Sequence, residues 1–178
     1  VYRRHVRRAL TVLAAALVVS AVTRVALGDD YVRFGVLHCI AAAMLICPLL
    51  IPLRALLPLL AAAVLVGGLW LEGLPPTDIT VLLVAGVHPD GGAGVDWYPL
   101  VPWLAPAILG LWAGGVLYPG GTRGPWGRYL PRVPHSAALG WPGRHSLPIY
   151  LIHQPVLVPL VAAVLALLGV EVSWAAFR

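Results

Sequence analysis

VYRRHVRRALTVLAAALVVSAVTRVAL, residues 1–27, places four arginines among its first eight residues and then no ionisable side chain between Arg8 and Arg24. About 20 predominantly apolar residues suffice to carry a helix across the ~30 Å hydrocarbon core of a bilayer, so a span is expected near residues 7–27. Arginines ahead of an apolar run also begin secretory signal peptides. No small-residue cleavage site follows Leu27, however, and further apolar runs come after it. The segment is therefore expected to be retained.

Outward from this stretch, four more of the same character lie near residues 34–53, 55–71, 98–118 and 146–169. In lipid every backbone N–H and C=O must be satisfied within the protein, which leaves helices as the natural spanning element. The expected fold class is an all-α, polytopic transmembrane helix bundle of about five spans, one membrane domain over residues 1–178. The run Ile79–Val87 is too short to cross and suits an interfacial or re-entrant segment.

Composition supports this solvent. Hydrophobic residues make up 60% of the chain and charged residues 11%, and the mean hydropathy is +0.89. A water-soluble domain carries roughly 25% charged residues, so that class is excluded. The net charge of +5 rests on twelve cations, all arginine. They flank apolar runs rather than interleave with aromatics, which fits topology and not nucleic-acid binding. The absence of Lys and Asn, with much Ala, Gly, Pro and Arg, suggests a GC-rich genome and a bacterial cytoplasmic (inner) membrane.

The charges also orient the chain. Arg3, Arg4, Arg7, Arg8, Arg54, Arg123, Arg128, Arg132 and Arg144 fall on one side of the expected spans, and all seven acids fall on the other. Cytoplasmic loops are the arginine-rich ones, so the N-terminus is expected inside and the C-terminus outside. Cys39 and Cys47 are the only cysteines. In one expected helix they stand about 12 Å apart, too far to bridge.

Ionisable and strongly polar groups inside spans are costly, and they raise a functional hypothesis by default. His38 falls in the second span, and His153 and Gln154 in the fifth. Ser146, Tyr150 and His153 recur at spacings of four and three and share one helix face. Pro148 and Pro155 flank that stripe and free backbone carbonyls. These five positions, with Asp96 at the rim of the fourth span, are the candidate substrate path: His38, Asp96, Ser146, Tyr150, His153 and Gln154. For each histidine the structural alternative is a hydrogen bond that ties two helices together. For Asp96, within an aromatic-rich run, it is an interfacial belt. A functional Asp96 would orient a histidine or accept from sugar hydroxyls. Gly110 and Gly114 read as a close-packing GxxxG pair. Arg144, Arg132 and Arg128 either mark the inner side or meet the phosphates of an anionic cosubstrate. No metal site is expected, since the six histidines are scattered without carboxylate or cysteine at ligand spacing.

Three blocks together resemble the membrane-bound heparan-α-glucosaminide N-acetyltransferase catalytic-domain family and its bacterial relatives. They are Arg33-Phe34-Gly35-Val36-Leu37-His38-Cys39-Ile40, then Asp96-Trp97-Tyr98-Pro99-Leu100-Val101-Pro102-Trp103, then Gly143-Arg144-His145-Ser146-Leu147-Pro148-Ile149-Tyr150-Leu151-Ile152-His153-Gln154-Pro155. The resemblance implies a polytopic enzyme that moves an acyl or acetyl group from cytoplasmic acetyl-CoA, or another acyl-CoA, to an extracytoplasmic acceptor such as an amino sugar or glycan. It also implies a catalytic histidine in an N-terminal part that residues 1–178 do not include. On that ground the chain is expected to be the C-terminal part of a longer protein, and its own catalytic residue stays unassigned. The position of His38 carries glutamine in the eukaryotic members the chain resembles.

Two other classes stay open on the residues alone. A transporter or permease component would line a substrate path with the same polar groups. A non-catalytic membrane subunit would tolerate their replacement. In every case the partners expected are the lipid bilayer and a small molecule or glycan, with a homo-oligomer admitted.

Overall fold

The computed structural model describes residues 2–91, 96–122, 124–129 and 137–168. The chain divides into two compact units, residues 1–130 and 131–178. Every regular element among the described residues is helical. The first unit holds α1 (Tyr2–Leu27), α2 (Val36–Ile46), α3 (Leu57–Glu72), α4 (Thr80–Ala85) and α5 (Leu100–Leu117). The second holds α6 (Ala137–Arg144) and α7 (Ser146–Leu167).

Among the described residues three segments are long and apolar enough to cross a membrane: Arg3–Asp30, Val36–Leu53 and Leu100–Leu117. The expected second span is not one α-helix, however. Pro48 and Pro52 lack the N–H that an α-helix requires, so α2 stops at Ile46 and a 3₁₀ stretch, Cys47–Leu53, completes the segment. At 1.5 Å per residue for the α part and 2.0 Å for the 3₁₀ part, it still reaches about 30 Å. Cys39 and Cys47 consequently lie on different elements, and both are free. The apolar helix α3 has 16 residues, which gives about 24 Å. The short run around Ile79 forms only α4, six residues long.

Packing in the first unit pairs α1 with α2 and α3 with α5. The second pair meets through Leu57, Ala61, Ala105 and Ile108, all fully or almost fully buried, with Leu60, Val64, Leu104 and Leu111 around them. Leu57 and Ala61 are four apart and Ala105 and Ile108 three apart, so each helix offers one face. The buried face of α1 is built of small residues, Ala9 and Ala16, seven apart. The larger apolar side chains, among them Leu17, Val22, Leu59, Val66 and Leu69, point outward. Such an inside-out distribution is what a lipid solvent selects. A Cβ added at Gly110 or Gly114 meets nothing within 4 Å, so no other element of the first unit packs closely on this pair.

Polar ties stitch the first pair together. Met44 would accept from residue 48 in an α-helix, but Pro48 has no N–H to give. His5 fills that role, its Nε2–H donating to the Met44 carbonyl at 2.7 Å. Toward the other end of α1, the Ser20 hydroxyl donates to the Val32 carbonyl at 2.6 Å, and the Val32 amide donates to the Thr23 hydroxyl at 3.1 Å. Beyond α3, the loop around α4 is closed by an isolated bridge between Thr77 and Pro89. It is then fixed by Gly86, whose φ of +136° suits only glycine. A Cβ there would come within 2.4 Å of the Val101 carbonyl oxygen.

Candidate functional site

The start of α2 is assembled from two distant pieces of sequence. A helix leaves its first amides without intrahelical acceptors. The N-cap here is Gly35, which has no side chain to serve them. Asp96 supplies the oxygen instead: the Val36 amide donates to its two carboxylate oxygens at 3.2 and 3.4 Å. The reciprocal half of the cap comes from His38 at the third helical position, whose Nδ1 accepts from the Gly35 amide at 3.3 Å. Gly35 is glycine for lack of space. A Cβ would stand 2.1 Å from Asp96 Oδ2 and 2.7 Å from Val32 Cγ1.

The run after Asp96 holds it there. The Tyr98 amide donates to the Phe34 carbonyl at 3.0 Å, and Cys39 Sγ approaches the Pro99 carbonyl at 3.8 Å. The indole of Trp97 donates to the Leu83 carbonyl at 3.2 Å and lies 5.0 Å, centroid to centroid, from the His88 ring. His38 itself is 8% exposed, with its ring 5.4 Å from that of Phe34. Burial pushes the Asp96 carboxyl above the usual carboxylate range, and the Val36 hydrogen bond partly offsets this by favouring the charged form. Nearby, Arg33 pairs with Asp78 at 3.2 Å on the exposed surface.

In the second unit α6 runs almost directly into α7. The His145 amide still donates to the Trp141 carbonyl at 3.1 Å, and the Ile149 amide to that of His145 at 3.0 Å. The Trp141 and His145 rings stack at 4.7 Å, and the exposed Arg144 stands between them in sequence. Along α7 the stripe takes the expected face: the Tyr150 and His153 rings are 5.1 Å apart, both half-buried, and Ser146 is exposed at the helix start. His153 Nδ1 is hydrogen-bonded to the Tyr150 carbonyl. A carbonyl only accepts, so Nδ1 carries the proton and Nε2 is left with its lone pair.

The family model described as heparan-alpha-glucosaminide N-acetyltransferase, catalytic, matches residues 2–155 of this chain. The chain belongs to that family. No curated protein and no solved structure matches the chain. The region matched to the N-acetyltransferase catalytic family takes in both constellations, the α2 start with His38 and Asp96 and the α7 stripe from Ser146 to His153.

Within this family frame, the expected site residues are placed as follows. His38 and Asp96 come together in the first unit, joined through the Gly35–Val36 backbone, with Asp96 bonded to an amide and not to the histidine. Ser146, Tyr150 and His153 share one face of α7 in the second unit. Arg144 is described and exposed. Arg132 lies outside the described residues, as do the side chains of Arg128 and Gln154. Among the described residues no group of three or more His, Cys, Asp or Glu side chains could hold a metal ion. Sequence reasoning overlooked His5. Its signal was Pro48, which leaves the Met44 carbonyl in need of a donor.

Proposed function

We propose that this chain is the membrane part, or most of it, of an acyltransferase that takes an acetyl group from cytoplasmic acetyl-CoA and delivers it to an amino-sugar or glycan acceptor on the opposite side. The observation that carries the reading is the family match over residues 2–155. Three membrane-length segments within that match support a membrane setting. For the topology we propose five spans, with α3 and α7 as the other two, an inside N-terminus and an outside C-terminus in a bacterial inner membrane. The segregation of arginines from acids supports this orientation. Arg144, with Arg128 and Arg132, would meet the phosphates of acetyl-CoA on the arginine-rich side. The acetyl-CoA thioester supplies the activated acyl group. The chain's part is to bind both substrates and to accept the proton that the acceptor's amine or hydroxyl loses.

The test uses the protein purified from its own membranes and reconstituted in liposomes, with labelled acetyl-CoA on one side and D-glucosamine on the other. Label appearing in N-acetylated sugar across the bilayer is the expected result. Sugar uptake that needs no acetyl-CoA would replace this reading with that of a carrier.

A further inference from the structure

The two candidate histidines carry their protons on opposite nitrogens. A backbone amide can only donate, so the Gly35 N–H reaching His38 Nδ1 at 3.3 Å requires that nitrogen to be bare. Neutral His38 is then protonated on Nε2. That N–H has no acceptor among the described residues, although the residue is only 8% exposed. It is not sealed away either, since no described side-chain nitrogen or oxygen is both fully buried and without a partner. A donor that stays reachable on an otherwise buried ring is available to whatever acceptor arrives there.

Asp96 stands at the same helix start. The Val36 amide occupies one donor's worth of its acceptor capacity, and a carboxylate has about four lone-pair sites. Arg33 is paired with Asp78, so Asp96 is not bonded to that cation. His38 and Asp96 thus serve adjacent amides at the start of α2, those of Gly35 and Val36, each with hydrogen-bonding capacity to spare.

We propose that this pair is the docking point for the acyl acceptor. His38 Nε2–H donates to a hydroxyl or ring oxygen, and Asp96 accepts from an adjacent O–H or N–H. The ligand class is a neutral or cationic polyol bearing vicinal hydroxyl or amino groups, and its role as acyl acceptor rests on the acyltransferase reading above. His38 is here a binding residue that keeps its proton.

The experiment observes the His38 ring directly, in ¹⁵N-histidine-labelled whole protein in lipid nanodiscs, with the signal assigned by its loss in His38→Gln. The expected spectrum shows the proton on Nε2, and D-glucosamine shifts that signal saturably while acetyl-CoA does not. A proton on Nδ1, or a ring signal that D-glucosamine leaves unmoved, overturns the proposal. Kinetics supply the second readout. Gln retains both a cap acceptor and an outward N–H, so His38→Gln keeps the sugar KM within about twofold, whereas His38→Leu raises it about tenfold with the acetyl-CoA KM unchanged. Equal changes in both KM values would assign His38 to helix capping alone and overturn the proposal. If wild-type protein transfers no acetyl group yet its His38 signal still shifts with D-glucosamine, the acyltransferase reading falls and the docking point stands.

Discussion

His153→Ala is expected to lower kcat for acetyl transfer by at least about 100-fold, the usual scale for losing a positioned general base. As the acyl group reaches nitrogen or oxygen, the acceptor must shed a proton, and a group with an open lone pair has to receive it. His153 offers one. Its Nδ1 is committed to the Tyr150 carbonyl, which fixes the ring's tautomer and leaves the lone pair on Nε2. The Tyr150 ring at 5.1 Å limits how far the imidazole can swing. Under the acyltransferase reading proposed above, the loss is expected in kcat with the KM for acetyl-CoA near its native value, because a base serving the acceptor's proton does not touch the coenzyme. Trp112→Phe serves as the control: this side chain is 40% exposed on α5 and is expected to leave turnover unchanged. Native turnover in the alanine variant would remove His153 from the site.

Gly35→Ala is the substitution expected to harm the fold most for its size. One added methyl would have to share space with Asp96 Oδ2 and Val32 Cγ1. Overpacking of this kind costs about 1–3 kcal/mol, and displacing Asp96 adds the loss of a helix cap, about 1 kcal/mol. The sum is a drop of several degrees in Tm, measured by scanning fluorimetry in detergent. The two positions should also fail to add. With Asp96→Ala already present, the closest clash is gone, so Gly35→Ala costs less than it does alone. A native Tm for the single variant would show that the segment bearing Asp96 can move aside freely.

Most of the architecture was legible because it follows from local composition. The stretches expected near 98–118 and 146–169 became Leu100–Leu117 and Ser146–Leu167, since a run of apolar residues can be read without knowing its neighbours. The break after Ile46 was legible too, in Pro48 and Pro52, but the apolar run concealed it. Partnerships were harder. Nothing in the sequence around Asp96 shows that its oxygens serve an amide 60 residues earlier, because a carboxylate's partner is set by the fold and not by its neighbours in the chain. The same holds for Gly110 and Gly114: small residues permit close approach but do not specify which surface comes near, and no other element of the first unit is the one. The Ser146–Tyr150–His153 stripe succeeded because helical periodicity alone puts those residues on one face.

The borrowed cap on α2 also bears on how the chain is made. A ribosome delivers α1 and α2 to the membrane long before residues 96–99 have been translated, so this hairpin first meets lipid with the Val36 amide bare. The start of α2 is completed only when α5 arrives behind Asp96, which ties the finishing of an early helix to the synthesis of a later one. A nascent chain halted after Glu72 should exchange its Val36 amide with solvent deuterium faster than the finished protein does. Equal protection in the two would mean that the hairpin closes its own end before the rest of the chain exists.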